Sequence, residues 1–468
     1  MKSKKIVSEY SAVETEAYKD KFLDMPLMDK MPVAGKVVEE KTTKEKELNI
    51  TEFKLSNGIR IVMKPTDFQN DKILFNAYSP GGHSLYEDKD FYSASNAASM
   101  IEEAGLAAFD MIALEKKLTG KTVQVSPYIG ELYEGFYGSS SVEDFETLLK
   151  LIHLYGTQPR KDKESFDRII TQNKEQLRNL VSSPRVFFQK ELSKIKFNGH
   201  MRRVALPSED DMDKINFDRI YQIYNDRFAD FSDFTFVFVG NFEPAKIKKQ
   251  LELYLASLPS TDRKENWKNV GIELPKEAVT QNLKKGLAPQ ANVYMGFVQE
   301  TPWTPEIGFK MTAMSKVLSI MVRENLREDK GGVYSPYVGG GMQNKPMSYS
   351  DITVFFQCAP ENVENLVAAV KDEVKSLIKN GPSEENYNKV KETLRRGRES
   401  DLEKNSFWRN AIVSYYKDNR DLSEIYNYDQ YLENLSMQDI QDMAKQYLDL
   451  QKAVLLTVKP EEDSTKEP

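Results

Sequence analysis

The chain has 468 residues, which is long for one domain and favours two or three. Its formal net charge is -7, and acidic residues interrupt or flank its basic runs "RKDK" and "LRRGR", so a nucleic-acid-binding protein is disfavoured. No run reaches the roughly 18 apolar residues of a membrane-spanning helix. The N-terminus has no apolar signal-peptide core, and the single cysteine excludes an intrachain disulfide. We expect a globular protein without a membrane span, and its compartment, bacterial periplasm or cytoplasm, stays open.

The N-terminal segment, residues 1–47, is charged and punctuated by prolines, as in "MPLMDKMPVAGKVVEEKTTKEKE". This composition predicts a linker or an extended arm. Regular structure is predicted to begin at "ITEFKLSNGIRIVMKP". There, apolar residues from Phe53 to Val62 flank the dipeptide Asn57-Gly58. The pattern predicts a β-hairpin with a tight primed turn.

An internal repeat runs through the rest of the chain. The pentapeptides "SPYIG", Ser126–Gly130, and "SPYVG", Ser335–Gly339, each precede a strand-like segment, "LYEGFYGSS" or "YSDITVFFQCA". Each segment is followed by an amphipathic helical pattern, "VEDFETLLKLI" or "ENVENLVAAVKDEVKSLI", and then by longer helical stretches. The two halves also end alike, in the apolar strands "FTFVFVG" and "AVLLTV". The copies lie about 210 to 220 residues apart.

This repeat predicts two homologous α+β domains, residues 48–264 and 265–468, after the arm at 1–47. Strands and helices do not alternate regularly. We therefore expect each domain to hold a mainly antiparallel sheet with helices packed on one face. The polar, proline-bounded segment "LPSTDRKENWKNVGIELPKE" is the predicted junction.

The chain contains three histidines, His83, His153 and His200, which lie far apart in the sequence. They form neither H-x-x-E-H nor H-E-x-x-H, and a single cysteine cannot form C-x-x-C. We therefore predict no metal site in this chain. His83 follows a glycine pair and is expected to be exposed in a turn. His153 is expected to pack on a helix, and His200 to lie in a loop.

Other candidate groups favour structural roles. Glu102 and Glu103 are adjacent on a predicted helix and do not face each other, which indicates a solvated helix end rather than a carboxylate pair. Cys358 lies in "ITVFFQCAP", typical of a buried strand, whereas a reactive thiol needs exposure and a lowered pKa. The glycines of "SPGGHS" and "VGGGM" lack the spacing of a phosphate-binding loop. No complete catalytic constellation is therefore predicted in this chain.

The segment "LREDKGGVY" contains Arg327 and Tyr334 between a predicted helix, "MSKVLSIMVRENL", and a predicted strand. An arginine supplies several fixed donors and a tyrosine one hydroxyl, so together they suit a carbonyl or a carboxylate. On the residues alone, a local ion pair and a packed ring explain the segment as well. The first copy of the repeat has no such pair, since Lys117 and Gln124 stand 210 residues earlier.

The tandem α+β repeat, the stretch "LSNGIRIVMKPT…SPGG" and the segment "LREDKGGVY" resemble the pitrilysin/insulinase-type zinc metallopeptidases, the inverzincins. The resemblance covers about residues 48–468. It is nearest to the C-terminal, non-catalytic half of large bacterial, Bacteroidetes-like members. In that family an L-R-x(6)-Y segment opposite the zinc site binds the substrate backbone. The resemblance thus implies substrate binding by Arg327 and Tyr334.

The chain departs from the family where catalytic repeats carry H-x-x-E-H on a helix. Its corresponding stretch is "GGHSLYEDKDFYSASNAASMIEEAG". Two alignments of the motif are possible, and they place there either Ser95, Ala98 and Ser99 or Asn96, Ser99 and Met100. Neither set can replace two imidazoles. Glu175 stands where the family has its distal glutamate ligand, and we expect it to be a surface residue.

The resemblance implies the non-catalytic half, or a subunit, of a zinc metalloendopeptidase that closes a chamber around unfolded peptides. Zinc and H-x-x-E-H are expected in the catalytic half or partner, and no cofactor in this chain. The arm before residue 48 would lead back to that half, unless the halves are separate chains. The alternative is a catalytically dead family member that acts as a peptide-binding or assembly protein, like the structural core subunits of respiratory complexes that share this fold.

Overall fold

The structure, a computed structural model, describes residues 24–43, 48–329 and 336–461. Within these ranges the strands form two mixed sheets, of seven and five strands. The strands are β1 (Val37–Thr43), β2 (Ile50–Leu55), β3 (Arg60–Pro65), β4 (Ile73–Pro80), β5 (Val123–Ile129), β6 (Tyr133–Ser140), β7 (Thr235–Gly240), β8 (Val279–Lys284), β9 (Ala291–Glu300), β10 (Tyr337–Gln343), β11 (Tyr349–Cys358) and β12 (Val454–Lys459).

Most of the remaining described chain is helical. The α-helices are α1 (Phe91–Ala104), α2 (Met111–Lys117), α3 (Phe145–Thr157), α4 (Lys163–Val181), α5 (Pro184–Lys196), α6 (Glu209–Asp213), α7 (Phe217–Arg227), α8 (Pro244–Tyr254), α9 (Pro305–Arg323), α10 (Val363–Asn380), α11 (Glu384–Leu402), α12 (Asn405–Lys417), α13 (Asn427–Asn434) and α14 (Met437–Tyr447). In the described ranges, no helix is both long enough and apolar enough to cross a membrane.

The two sheets share one topology. The first has the order β1-β2-β3-β7-β4-β6-β5, and the second, taken from its β8 edge, has β8-β12-β9-β11-β10. Each sheet has one parallel pair, β3 with β7 or β8 with β12, and its other pairs are antiparallel. The first sheet differs only in the additional strands β1 and β2. The prediction of two homologous α+β halves with mainly antiparallel sheets is confirmed.

The predicted hairpin is present, as β2 paired with β3, but its predicted primed turn is wrong. The Leu55 N–H donates to Ile59 O at 2.9 Å, and the Gly58 N–H donates to Leu55 O at 3.0 Å. Gly58 has a φ of 95°, but Asn57 does not have a positive φ. The Asn57 side chain instead donates to Leu255 O at 2.9 Å. This tertiary hydrogen bond holds the turn against α8, so only the glycine needs the left-handed region.

One face of each sheet is covered by helices of its own half, as predicted. In the first half, α1 and α3 pack on the sheet and α7 packs on α1. In the second half, α9 packs on β10, and α10 and α14 pack on α9. Apolar side chains such as Phe136 in the first core and Leu318 in the second are excluded from water, which is the main stabilising contribution to each half.

The opposite face of each sheet is covered by a helix from the other half. Trp408 and Ile412 of α12 form an apolar cluster with Val237 of the first sheet and its neighbours. Phe188 of α5 packs in the same way against Leu456 of the second sheet and its neighbours. Each half therefore contributes one helix to the other half. Each sheet is covered on one face by helices of its own half and on the opposite face by this exchanged helix.

The segment predicted to be an arm contributes to the first half. Its strand β1 pairs antiparallel with β2 at the edge of the first sheet, and its side chains are largely exposed. Met28 is buried against the first core. The described part of this segment thus lies along the first half in an extended conformation.

Candidate functional site

Arg327 lies where α9 changes its helical geometry. The side chain of Thr304 accepts a hydrogen bond from the Ile307 N–H and caps the start of α9. At its other end α9 continues into a π-helical segment, Glu324–Asp329, which contains Arg327. Leu326 of this segment is fully buried, and Asn325 Nδ2 donates to Glu373 Oε1 of α10 at 2.5 Å. The chain just before Arg327 is therefore held by the burial of Leu326 and by the hydrogen bond from Asn325 to α10.

The side chain of Arg327 and the whole of Tyr334 lie outside the described residues. The predicted role of this pair in substrate binding therefore stays a prediction. The segment that contains the pair connects the π-helical end of α9 to the start of β10 at Tyr337. Described structure therefore flanks the pair on both sides. Segments of π-helix are rare in proteins, and those that occur often lie at functional sites.

Strand β10 forms one edge of the second sheet and pairs with β11 on its other side. A Cβ on Gly340 would lie 2.9 Å from the Cβ of Ser315, so a glycine is needed for β10 to approach α9 closely. The side chain of Tyr337 is 59% exposed beside this edge. Within the described residues, β10 therefore presents an accessible strand edge from Tyr337 onward that an extended peptide could approach.

The positions of the family's zinc motif lie on α1, and their side chains bond to their own helix. Asn96 Nδ2 donates to Tyr92 O at 2.8 Å, and Ser99 Oγ donates to Asn96 O at 3.0 Å. Met100 is buried in the first core. Glu175, which was expected at the surface, is exposed.

These residues do not fit a zinc ion, since an amide, a hydroxyl and a thioether replace the imidazoles and the general base. The Ser95, Ala98 and Ser99 alignment is no better, because Ala98 is buried and carries no donor. Across the described ranges, no group of three or more His, Cys, Asp and Glu side chains is placed to hold a metal ion.

The three histidines occupy separate elements. His153 is buried on α3 with its Nδ1 2.9 Å from Tyr254 O, so the prediction of a packed histidine is confirmed. His200 precedes a short 3-10 helix, with its Nε2 3.2 Å from Val270 O. His83 was expected to be exposed, and this is wrong. Its ring is half-buried edge-on against Phe91, and burial lowers the pKa of His83 to about 4.

The remaining candidates are structural. Cys358 is buried, as predicted, and burial raises the pKa of its thiol to about 11. Glu103 is exposed, but Glu102 is half-buried, so the expected solvated helix end is wrong for Glu102. Ser126 Oγ donates to Glu102 Oε1 at 2.7 Å, and burial raises the pKa of Glu102. Ser126 belongs to β5, so the sequence of α1 alone cannot predict this hydrogen bond.

A polar region that the sequence does not reveal lies at the junction of the two halves. Two adjoining cavities, of about 540 and 490 Å³, share the side chains of Tyr133, Lys345 and Lys417. Tyr133 begins β6 in the first half, and the two lysines belong to the second half. No motif could have revealed this grouping, because the three residues come from separate segments of the chain.

Comparison with known proteins relates the chain to one family. Residues 214–394, which include Arg327 and Tyr334, match the family model "Peptidase M16 inactive domain". A protein from Arabidopsis thaliana named "Zinc protease PQQL-like" is 25% identical over 438 residues, covering 88% of this chain and 42% of that protein.

Solved structures with the same fold include the periplasmic protease PqqL from Escherichia coli, with a TM-score of 0.81 and 18% identity, covering 97% of this chain and 50% of that one. A peptidase M16 inactive domain from Pseudomonas fluorescens has a TM-score of 0.72 and 16% identity, covering 90% of this chain and 100% of that one. The chain thus spans half or less of the length of the two zinc protease relatives.

Proposed function

Because the chain is related to the M16, or pitrilysin/insulinase-type, zinc metallopeptidases and carries their inactive domain, we propose that it is the non-catalytic half, or a subunit, of such a peptidase. The match of the inactive-domain model to residues 214–394 carries the proposal. The chemistry of α1 supports it, since Asn96, Ser99 and Met100 cannot replace the family's zinc ligands and base. Zinc and H-x-x-E-H belong to the catalytic half in this proposal.

In the proposed enzyme, Arg327 and Tyr334 bind the backbone of an unfolded peptide near the bond that is cut. The guanidinium and the phenol hydroxyl donate to substrate carbonyl oxygens, where negative charge develops during hydrolysis. Three features support this role. The spacing L-R-x(6)-Y is met, the π-helical segment at Arg327 is anchored by Leu326, and an accessible strand edge follows at Tyr337.

The test supplies the catalytic half, in the same chain or as a separate protein, and measures kcat/KM on an unstructured peptide. We expect Arg327→Ala and Tyr334→Phe each to lower kcat/KM by roughly 100-fold, the usual effect of losing one donor to an oxyanion. Arg323→Ala is the matched control, since Arg323 is exposed one helical turn earlier. Circular dichroism checks that each variant is folded.

Wild-type kcat/KM in both variants would overturn the role of the pair. A stable complex with the catalytic half that cuts no peptide would favour the alternative, a peptide-binding or assembly protein. Loss of activity in Arg323→Ala as well would show that the whole segment, rather than the pair, is needed.

A further inference from the structure

The smaller of the two cavities at the junction of the halves, about 490 Å³, has the size of a small-molecule site. Its wall is formed by the ends of strands in the first sheet and by residues 265–267 of the connector between the halves. The loop after β10 and the end of α12 complete it. The aromatic side chains of Tyr78, Tyr133 and Trp267 form part of this wall. The site therefore exists only when both halves are in place.

Lys417 is the central charged group of this cavity. Its ammonium lies 4.2 Å from the ring centre of Tyr133 and 4.9 Å from that of Tyr78, so it faces the aromatic wall. Within the described ranges, no carboxylate forms an ion pair with it. Its neighbour Lys345, by contrast, lies 2.8 Å from Asp418 Oδ1. Burial lowers the pKa of Lys417 to about 8, and the charge of Lys345 adds to this shift while the Asp418 carboxylate acts against it.

The charged residues that line the cavity favour the binding of one anion with a single negative charge. Lys345 is paired with Asp418, and Glu265 is paired both with Arg227 at 2.9 Å and with Arg263 at 3.3 Å. The remaining lining charges are Arg60, Lys417 and Asp233, a net charge of one positive unit. A phosphate carrying two charges would be repelled by the Asp233 carboxylate, whereas a monoanion with an apolar body matches both the charge and the aromatic wall.

We propose that this cavity binds the carboxylate of a short peptide or of an N-acylated amino acid, with the Lys417 ammonium as its ion partner and the rings of Tyr78, Tyr133 and Trp267 against the organic part. The site is independent of the role proposed above for Arg327 and Tyr334. The ligand of this cavity is held by its free terminal carboxylate, not by its backbone carbonyls.

The test titrates the full chain with N-acetylphenylalanine and with its amide, N-acetylphenylalaninamide, by isothermal calorimetry. We expect the acid to bind at least about tenfold more tightly than the amide, because only the acid forms a charge-assisted hydrogen bond with Lys417. Lys417→Gln should remove this difference. Lys375→Gln is the matched control, since Lys375 is an exposed lysine on α10.

A tripeptide that ends in phenylalanine with a free carboxylate should bind more tightly than N-acetylphenylalanine, because it fills more of the cavity. Equal affinity for the acid and the amide of the unmodified chain would overturn the proposal, and this comparison does not depend on the folding of any variant. Undiminished binding of the acid to folded Lys417→Gln, or tighter binding of inorganic phosphate, would also overturn it.

Discussion

Arg227 at the end of α7 is buried between carboxylates of three segments. It is 2% exposed, with its Nη1 2.9 Å from Glu265 Oε2 and 3.6 Å from Glu134 Oε1, and its Nη2 2.9 Å from Asp226 Oδ2. Arg227→Met would leave the buried Glu134 without a cation. We expect it to lower the free energy of unfolding by about 3–5 kcal/mol, measured by urea denaturation.

Arg219 in the same helix provides the matched control. It pairs with Asp90 at 2.8 Å, and its side chain is 35% exposed. Ion pairs that water still reaches contribute little, so Arg219→Met should lower the free energy of unfolding by no more than about 1 kcal/mol. Equal losses in the two variants would contradict the argument from burial.

Glu134 makes a second prediction, on pH. Burial raises the pKa of this carboxyl to about 7, although Arg227 and a hydrogen bond from the Gly82 N–H at 2.5 Å act against the shift. Between the ordinary glutamate pKa and about 7, the folded chain binds more protons than the unfolded chain. This group's contribution to stability therefore falls as the pH rises through that window. Glu134→Gln should lose less stability between pH 5 and pH 7.5 than the unmodified chain, and equal losses would refute the assignment.

Local sequence predicted the environment of a residue when its own strand or helix sets that environment. Cys358 and His153 lie in apolar patterns whose burial follows from their elements. The burial of His83 could not be predicted, because it depends on Phe91 and on a distant segment. Arg202 of that segment donates a hydrogen bond to His83 O at 3.2 Å. The same limit applies to Glu102, whose partner lies on β5.

At the scale of elements, the exchanged helices α5 and α12 should be as important as the helices inside each half. Trp408 of α12 is 1% exposed, its Nε1 donates to Leu402 O at 2.8 Å, and the Lys64 ammonium lies 4.0 Å from its ring centre. Trp408→Ala leaves a cavity between the halves. We expect it to lower the free energy of unfolding by about 3–5 kcal/mol in urea denaturation.

Trp303→Ala is the control for this prediction, since Trp303 is half-buried and contacts Arg420 at 5.2 Å from its ring centre. Trp303→Ala removes the same side chain from a site that water already reaches. The free energy of unfolding should therefore fall clearly less than in Trp408→Ala. A larger loss at Trp303 than at Trp408 would show that the outer face of the first sheet does not depend on α12.

The sequence predicted the hairpin of β2 and β3 and amphipathic helices such as α3 and α10, because their apolar periodicity is local. It also predicted the duplicated α+β order, since the two copies of "SPY" mark equivalent strands, β5 and β10. It could not assign α12 to the first sheet or α5 to the second. Both helices are amphipathic in an ordinary way, and the identity of the sheet that covers their apolar side depends on the packing of the halves.

For the whole molecule, the composition of α1 makes a prediction about metal. The purified chain should contain far less than one zinc per chain after dialysis against micromolar zinc, measured by mass-spectrometric metal analysis. The reason is that Asn96, Ser99 and Met100 offer no thiolate, imidazole or carboxylate. One tightly bound zinc per chain would contradict both this prediction and the proposed division into catalytic and non-catalytic halves.

The exchange of α5 and α12 also predicts how the molecule unfolds. Each half on its own would expose the outer face of its sheet, which carries apolar residues such as Val237 or Leu456. The two halves should therefore unfold together, although a chain of 468 residues often unfolds in steps.

We expect one urea transition that is the same by tryptophan fluorescence and by far-ultraviolet circular dichroism. Fluorescence reports mainly on the second half and the junction, through Trp267, Trp303 and Trp408, whereas dichroism reports on helices of both halves. The separate fragments 48–264 and 265–468 should bind a hydrophobic dye that the intact chain does not bind. Two separated transitions, or two fragments that fold without binding the dye, would show that the exchanged helices do not couple the halves.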